Sequence, residues 1–319
     1  MALSIIKARK VIDLVSVLPA FMPPRRRAAA LAAVAALVGA RDSPPGLVVV
    51  GIFKNEAPHL RPWLDYYLNA QGAVAALLVD NNSTDDWRSA VAPFGDRVRV
   101  TTDGAVHRQV ALYNQHALPL LKREFQRDWA VVVDLDEYLY ARDPGTRWPP
   151  TLAQTVRDVL GPGKENHVAV PWKMFGSSGR DAQPGNGTVC GFTRRRNYTG
   201  TLRTHTKSLA RVAALDRLGV HLHVIAGHQA PHHGVVRQSE ELLKAARLHL
   251  NHYPIQSKSH FRENKMSRGS ATSRTLDTVR TWDFFRKYDW NDVEDADSRR
   301  ARTRARGAAG LFITLLILL

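Results

Sequence analysis

Between Leu47 and Val133 the chain alternates short runs of apolar, mostly β-branched residues with longer stretches whose apolar positions recur at helical spacing. Leu47–Phe53, Val74–Val79, Arg97–Thr101 and Ala130–Val133 read as strands. A strand that is apolar at successive positions is buried on both faces, as in a parallel sheet. After the first strand, Pro58 opens a helix with Leu60, Trp63, Leu64, Tyr67 and Leu68 on one face and Gly72 at its end. His107–Arg127 reads as a long amphipathic helix. Strand and helix alternating through four strands predict an α/β fold with a mainly parallel, Rossmann-type sheet flanked by helices. Such sheets collect ligand-binding residues at the carboxyl ends of their strands.

Polar clusters sit at those ends. The first strand runs into Lys54-Asn55-Glu56, the second into Asp80-Asn81-Asn82-Ser83-Thr84-Asp85, and the fourth into Asp134-Leu135-Asp136-Glu137. The second cluster is also turn and helix-cap chemistry, with Ser83 or Thr84 as the cap. In the fourth, alternation along a strand predicts Asp134 and Asp136 on the same side, roughly 6–7 Å apart at the backbone. Like charges that close raise one pKa unless a cation neutralises them, so the pair predicts a divalent ion with oxygen ligands. A solvated turn at the strand end is the alternative reading.

Of the 319 residues 44% are hydrophobic and 23% charged, a globular composition that excludes disorder throughout. One cysteine, Cys190, excludes an intramolecular disulfide and lends no support to a cysteine-based zinc site, which predicts a reducing, cytoplasmic setting. The net charge of +16 is concentrated at the ends: residues 1–41 hold seven Lys/Arg against Asp13, and Ser298–Arg306 holds five Arg and no acid. These tails are candidates for peripheral contact with an anionic membrane, or are simply solvated. Leu14–Met22 is short and lacks a small-residue cleavage site, so no signal peptide is expected, and Ala28–Ala40 reads as a helix. The apolar end Leu311–Leu319 is far below the roughly 20 residues a spanning helix needs.

Gly51–Glu56, Asp80–Asp85 and Asp134–Tyr138 resemble, in order and spacing, the nucleotide-sugar-binding half of family 2-like glycosyltransferases. Trp172–Gly179, Asn251–Lys258 and Lys265–Gly269 are similar to motifs of the family 92 glycosyltransferases and their bacterial relatives, and the similarity runs from about Leu47 to Asp295. The resemblance implies a GT-A-like fold, a nucleoside-diphosphate sugar donor, a divalent cation (Mn2+ or Mg2+), and a glycan or other hydroxyl acceptor. It divides the chain into a basic extension (1–45), a nucleotide-binding half (46–145), a mixed α/β acceptor half (146–297) and a tail (298–319).

Glycosyl transfer needs the departing diphosphate neutralised, which a carboxylate-held cation does as a Lewis acid. Asp136 is the first-choice ligand, and Asp134 contacts the ion or the ribose. Asn55, Glu56, Asp80 and Asn82 are placed for base and ribose, while Gln109 and Asn114 line the same cleft from the preceding helix. Nine of thirteen histidines fall between His205 and His260. His252 matches the motif position from which the resembled fold completes its metal site, with a purely hydrogen-bonding role as the alternative; His221 and His223 read as structural. Metal affinity is then expected to fall below the imidazole pKa, about 6.5 if unperturbed.

Trp172 and Trp282 are sugar platforms or buried core, Gly176 lets loop donors approach a ligand, and Lys258, Lys265 and Arg268 are candidate diphosphate partners. Ser259-His260 departs from the acidic pair usual before the motif phenylalanine, here Phe261, and Arg180 stands where relatives carry a different polar residue. Inverting transfer needs a carboxylate base, for which Asp181 and Glu263 are the candidates. Two other classes compete: a nucleotidyl or phosphoryl transferase built on the same carboxylates, and a non-enzymatic protein binding nucleic acid through its tails. The chain has no Gly-x-x-x-x-Gly-Lys-Ser/Thr loop and no nucleic-acid-binding motif, which disfavours both.

Overall fold

The computed structural model describes residues 44–105, 108–143, 149–226, 234–267 and 280–297. The Ala28–Ala40 helix, Arg268 and both terminal tails read from the sequence lie outside these residues. The first four strands follow the expected order: β1 (Leu47–Phe53), β2 (Ala75–Asp80), β3 (Val98–Thr102) and β4 (Trp129–Val132). They pair in parallel as β3-β2-β1-β4. Phe53 stands opposite Asp80 and Val50 opposite Val132, so three strand ends finish along one edge.

β1, β2 and β4 are apolar almost throughout because both faces are covered, whereas β3, at the sheet edge, is half-exposed. Val49, Phe53, Leu78 and Val131 pack with Leu60, Trp63, Leu64 and Tyr67 of the helix Ala57–Leu64 and the π turns that continue it to Ala70. Val48, Val50, Leu77 and Val132 pack with Leu112, Tyr113 and Leu121 from the near-continuous helix 109–124.

Past β4 the sheet becomes mixed. The remaining strands are β5 (Glu137–Ala141), β6 (His167–Met174), β7 (Arg194–Arg195), β8 (Leu202–Arg211), β9 (Leu215–Arg217), β10 (Val224–Ile225), β11 (Val235–Gln238), β12 (Leu248–His252) and β13 (Val293–Glu294). The main sheet continues from β4 through β8, β6 and β12 to β5, and β11 pairs with the first half of β8. Strand β8 is antiparallel to both β4 and β6, whereas β6 and β12 are parallel. A Rossmann-type parallel half continued by a mixed half is the GT-A-like architecture the sequence implied. Sequence reasoning left the second half's pairing open, because its strands mix polar and charged residues with apolar ones, as in Leu202–Arg211.

The segment 280–297 is bound tightly to this second half. Asp289 and Asn291 accept from the backbone N–H groups of Ser177 and Ser178 at 2.7 and 2.8 Å, β13 pairs with β7, and Asp295 takes both the Lys173 ammonium (2.8 Å) and Arg195 Nε (2.7 Å). Arg195 completes its fork on Glu240 at 2.7 and 2.9 Å. Among the described residues no helix is long and apolar enough to cross a membrane.

Candidate functional site

Strand β4 stops at Val132, and the chain turns at Asp134–Glu137, where the Glu137 N–H donates to the Asp134 carbonyl at 3.0 Å. The same-side placement expected of a continuing strand therefore does not apply. The backbone reverses between the two aspartates, and each meets a different partner. An aromatic face of the first helix braces this turn. Trp63 Nε1 donates to the Asp134 carbonyl (3.1 Å), and the Tyr67 hydroxyl donates to the Glu137 carbonyl (3.0 Å) while accepting from the Leu139 N–H (2.9 Å).

Asp134 and Glu137 share one ammonium. Lys207 of β8, fully buried, lies 2.9 Å from Asp134 Oδ2 and 3.1 Å from Glu137 Oε2. Burial disfavours the ammonium, but the two carboxylates outweigh it and hold Lys207 above its usual range. One ammonium cannot balance two carboxylates. Glu137 is the more deeply buried acid, and burial pushes it up to about 8 despite Lys207, so it keeps its proton at neutral pH. Gln109 Nε2 donates to Asp134 Oδ1 at 3.2 Å and to the Tyr113 hydroxyl at 2.8 Å, which places Gln109 beside this pair.

Asp136 belongs to a second set. Lys265 Nζ lies 2.7 Å from its Oδ2, and His252 Nε2 lies 3.7 Å from its Oδ1. Burial works against the carboxylate, yet Lys265 and then His252 and Arg280 hold Asp136 well below the ordinary range. His252 goes the other way: burial, the largest effect, pushes it down to about 4 although Asp136 and Asp134 favour its charge. The imidazole is neutral at pH 7. Its Nδ1 is buried without a hydrogen-bond partner, and 3.7 Å is too long for a hydrogen bond from Nε2. A carboxylate oxygen and an unused imidazole nitrogen thus face each other, a donor set that suits a divalent cation. Among the described residues no cluster of three or more His, Cys, Asp or Glu side chains is arranged to hold a metal.

The neighbouring strand ends are tied together. Asp80 accepts from the Ser83 N–H (2.8 Å) and the Thr102 hydroxyl (3.1 Å), and Asn55 Oδ1 accepts from the Thr84 N–H (2.7 Å). Asn55 and Asn82 hold φ of 52° and 60°, a left-handed conformation that asparagine tolerates better than most residues. Both are exposed, whereas Glu56 is buried with His59 Nδ1 3.0 Å from its carboxylate.

The remaining candidates divide. Trp172 lies against His252, with ring centroids 4.1 Å apart, and against His205 and His221 at 5.1 and 5.3 Å. His221 Nδ1 meets the Thr206 carbonyl at 3.1 Å and His223 Nδ1 accepts from the Gly219 N–H, so backbone groups engage both. Asn114 clamps Leu218, donating to its carbonyl and accepting from its N–H, each at 2.8 Å. Gly176 packs so closely on the Trp290 backbone that a β-carbon would lie 2.3 Å from that carbonyl, and the loop's donors are spent on Asp289 and Asn291. Trp282 packs on Phe261 and Phe285. Asp181 is exposed and paired with Lys258 at 2.8 Å, and Glu263 is exposed beside Arg262.

Lys207 was not anticipated. Its signal was a lysine within the run Thr206-Lys207-Ser208-Leu209-Ala210, a charge on the inward face of a strand that can be buried only against acids.

No family model matches this chain, and no curated protein matches it. Among solved structures, parts of it are similar to a mannosyltransferase from Pyrobaculum calidifontis in complex with GDP-Man and Mn2+ (21% identity, 40% of this chain, 36% of that one, TM-score 0.30). They are also similar to S. aureus TarS 1-349 in complex with UDP-GlcNAc (18% identity, 53% of this chain, 46% of that one, TM-score 0.33). A 4-diphosphocytidyl-2C-methyl-D-erythritol synthase overlaps 54% of this chain and 78% of its own at 14% identity and a TM-score of 0.33. The chain spans less than half the length of the two glycosyltransferase structures.

Proposed function

We propose that this chain is a metal-dependent glycosyltransferase of the family 92 kind, transferring a sugar from a nucleoside diphosphate to a hydroxyl acceptor with inversion. The observation that carries the reading is the facing pair of Asp136 Oδ1 and the neutral, unpartnered His252 imidazole at the carboxyl edge of a parallel sheet. A divalent cation bound there supplies Lewis-acid neutralisation of the leaving diphosphate.

The chain's own groups supply the rest. Lys265, 2.7 Å from Asp136, adds a second positive charge at the diphosphate position, with Lys258 and Arg268 as further partners. Asn55, Glu56, Asp80 and Asn82 shape the base and ribose end. Lys207 takes one oxygen of Asp134 and Gln109 reaches the other, which suits Asp134 to the ribose better than to the cation. Trp172 offers a face to the sugar, and Gly176 acts by holding its loop on Trp290. Asp181 and Glu263 remain the candidate bases, each exposed and so reachable by an acceptor.

The test is a panel of nucleoside-diphosphate sugars with Mn2+ or Mg2+, reading nucleoside diphosphate released in the wild type and in Asp136→Asn. Release from one donor, lost on adding a chelator and in Asp136→Asn, is expected. Pyrophosphate released from a nucleoside triphosphate and a sugar 1-phosphate in a parallel assay, with no release from any donor, would instead assign a nucleotidyltransferase. Release that survives the Asp136→Asn change would remove Asp136 from the site.

A further inference from the structure

In the β8–β11 ladder Arg203 and Arg237 stand directly opposite each other. Side chains so placed share a face with β-carbons about 4.5–5.5 Å apart, and like charges there destabilise the sheet. Both are exposed, and neither makes an ion pair or side-chain hydrogen bond with another described residue. A repulsive pair at this position calls for an anion between the two forks.

The face on which they stand is the face of the site. Alternation along β8 puts Arg203, His205 and Lys207 on one side. Lys207 reaches Asp134 at 2.9 Å. The His205 ring lies 5.1 Å from Trp172 and 4.6 Å from His221, and pairing of Pro171 with Thr206 brings Trp172 alongside His205. One strip therefore runs from the carboxylate turn to a tryptophan ringed by imidazoles and on to two arginines. Lys207 and Arg203 are four residue rises apart along the strand, about 13 Å, a span on the scale of a sugar ring with its substituents, with His205 and Trp172 between them. His221 is pushed down to about 4 by burial and by Lys207, so the ring cluster offers neutral hydrogen-bonding groups suited to hydroxyls. Guanidinium forks match phosphate or carboxylate oxygens with two parallel bonds.

We infer that the acceptor is an anionic saccharide, whose phosphate or carboxylate is held between Arg203 and Arg237 while its ring lies on Trp172. This rests on the glycosyltransferase reading and deepens it by naming the acceptor's class. A neutral acceptor would leave the repulsion of the two arginines uncompensated.

The experiment titrates glucose 6-phosphate, glucuronate and glucose by calorimetry into the wild type and into R203Q/R237Q, at low and high salt. At least one anionic sugar is expected to bind the wild type about tenfold more tightly than glucose, as charge-assisted hydrogen bonds allow. That preference should shrink with salt and vanish in the double variant. Which anion gains identifies phosphate or carboxylate. R203K/R237K, which keeps charge but loses the fork, should retain only part of the preference. Equal affinity for the three sugars, no binding of either anionic one, or a preference that survives in R203Q/R237Q overturns the inference. Acceptor-independent donor hydrolysis is measured alongside: its absence in the wild type counts against the transferase reading alone, and its persistence in R203Q/R237Q shows the donor site intact.

Discussion

Lys265 and Asp136 are 129 residues apart in sequence, yet their charged atoms lie 2.7 Å apart in the fold. An ammonium from the mixed second half is thereby seated on the carboxylate turn that follows β4. Both side chains are largely out of solvent, at 8% and 13% exposure, so each depends on the other for its charge.

Lys265→Met should lower stability by about 3 kcal/mol, because removing one partner strands a buried charge. The freed Asp136 should bind Mn2+ more tightly, while donor turnover falls for want of the second positive charge. Denaturant melts and a Mn2+ titration read these separately; an unchanged melt together with unchanged Mn2+ affinity would deny the pairing any role.

Mn2+ affinity should stay level from pH 8 down to about pH 5 as far as His252 is concerned, because burial has already moved the imidazole to about 4. This corrects the expectation of a fall near 6.5. In the metal-free protein the unfolded chain protonates this histidine below 6.5 and the folded chain does not until about 4, so folded stability drops as pH falls through that window. His252→Gln should remove that slope and weaken Mn2+ binding by at least about tenfold. His221→Ala should leave Mn2+ affinity as it is. Wild-type affinity in His252→Gln would make the imidazole purely structural.

Glu137→Gln tests the second cluster. The folded pKa of about 8 stands above the ordinary glutamate value of 4.5, so the folded state binds the proton more tightly and wild-type stability declines as pH rises from 4.5 to 8. The glutamine variant, neutral throughout, should show a flatter profile over that range. Chemical denaturation at several pH values checks it, and parallel profiles would mean that Glu137 is charged beside Lys207.

How much of this was legible beforehand follows from the range of the interactions. The parallel half was readable because continuous apolar runs such as Val48–Val50 imply two covered faces, and the polar ends of β1, β2 and β4 marked the edge where Asp136 lies. The turn at Asp134–Glu137 was not readable, because Trp63 and Tyr67 that hold it act through backbone carbonyls 70 or more residues away. Nor was the role of Gly176, whose need for no side chain is set by the Trp290 backbone.

That last contact gives a clean contrast. Gly176→Ala should destabilise the fold by about 1–3 kcal/mol, since the added carbon meets backbone rather than a movable side chain. Gly185→Ala, with nothing within 4 Å of the new carbon, should be near neutral. Thermal melts of the two variants decide it, and equal melting temperatures would show that the 290 segment can retreat.

The grip of Asp295 on Lys173 and Arg195 also sets where this chain tolerates cutting. Lys173 is 1% exposed, and its counter-charge arrives 122 residues later. A protease nick or a shortened gene that releases the chain after Tyr288 would take away Asp289, Asn291 and Asp295 together. Strand β6, which carries both Lys173 and Trp172, would then hold an unanswered charge in its interior, so damage at this peripheral stretch would be felt at Trp172 before the parallel half responds.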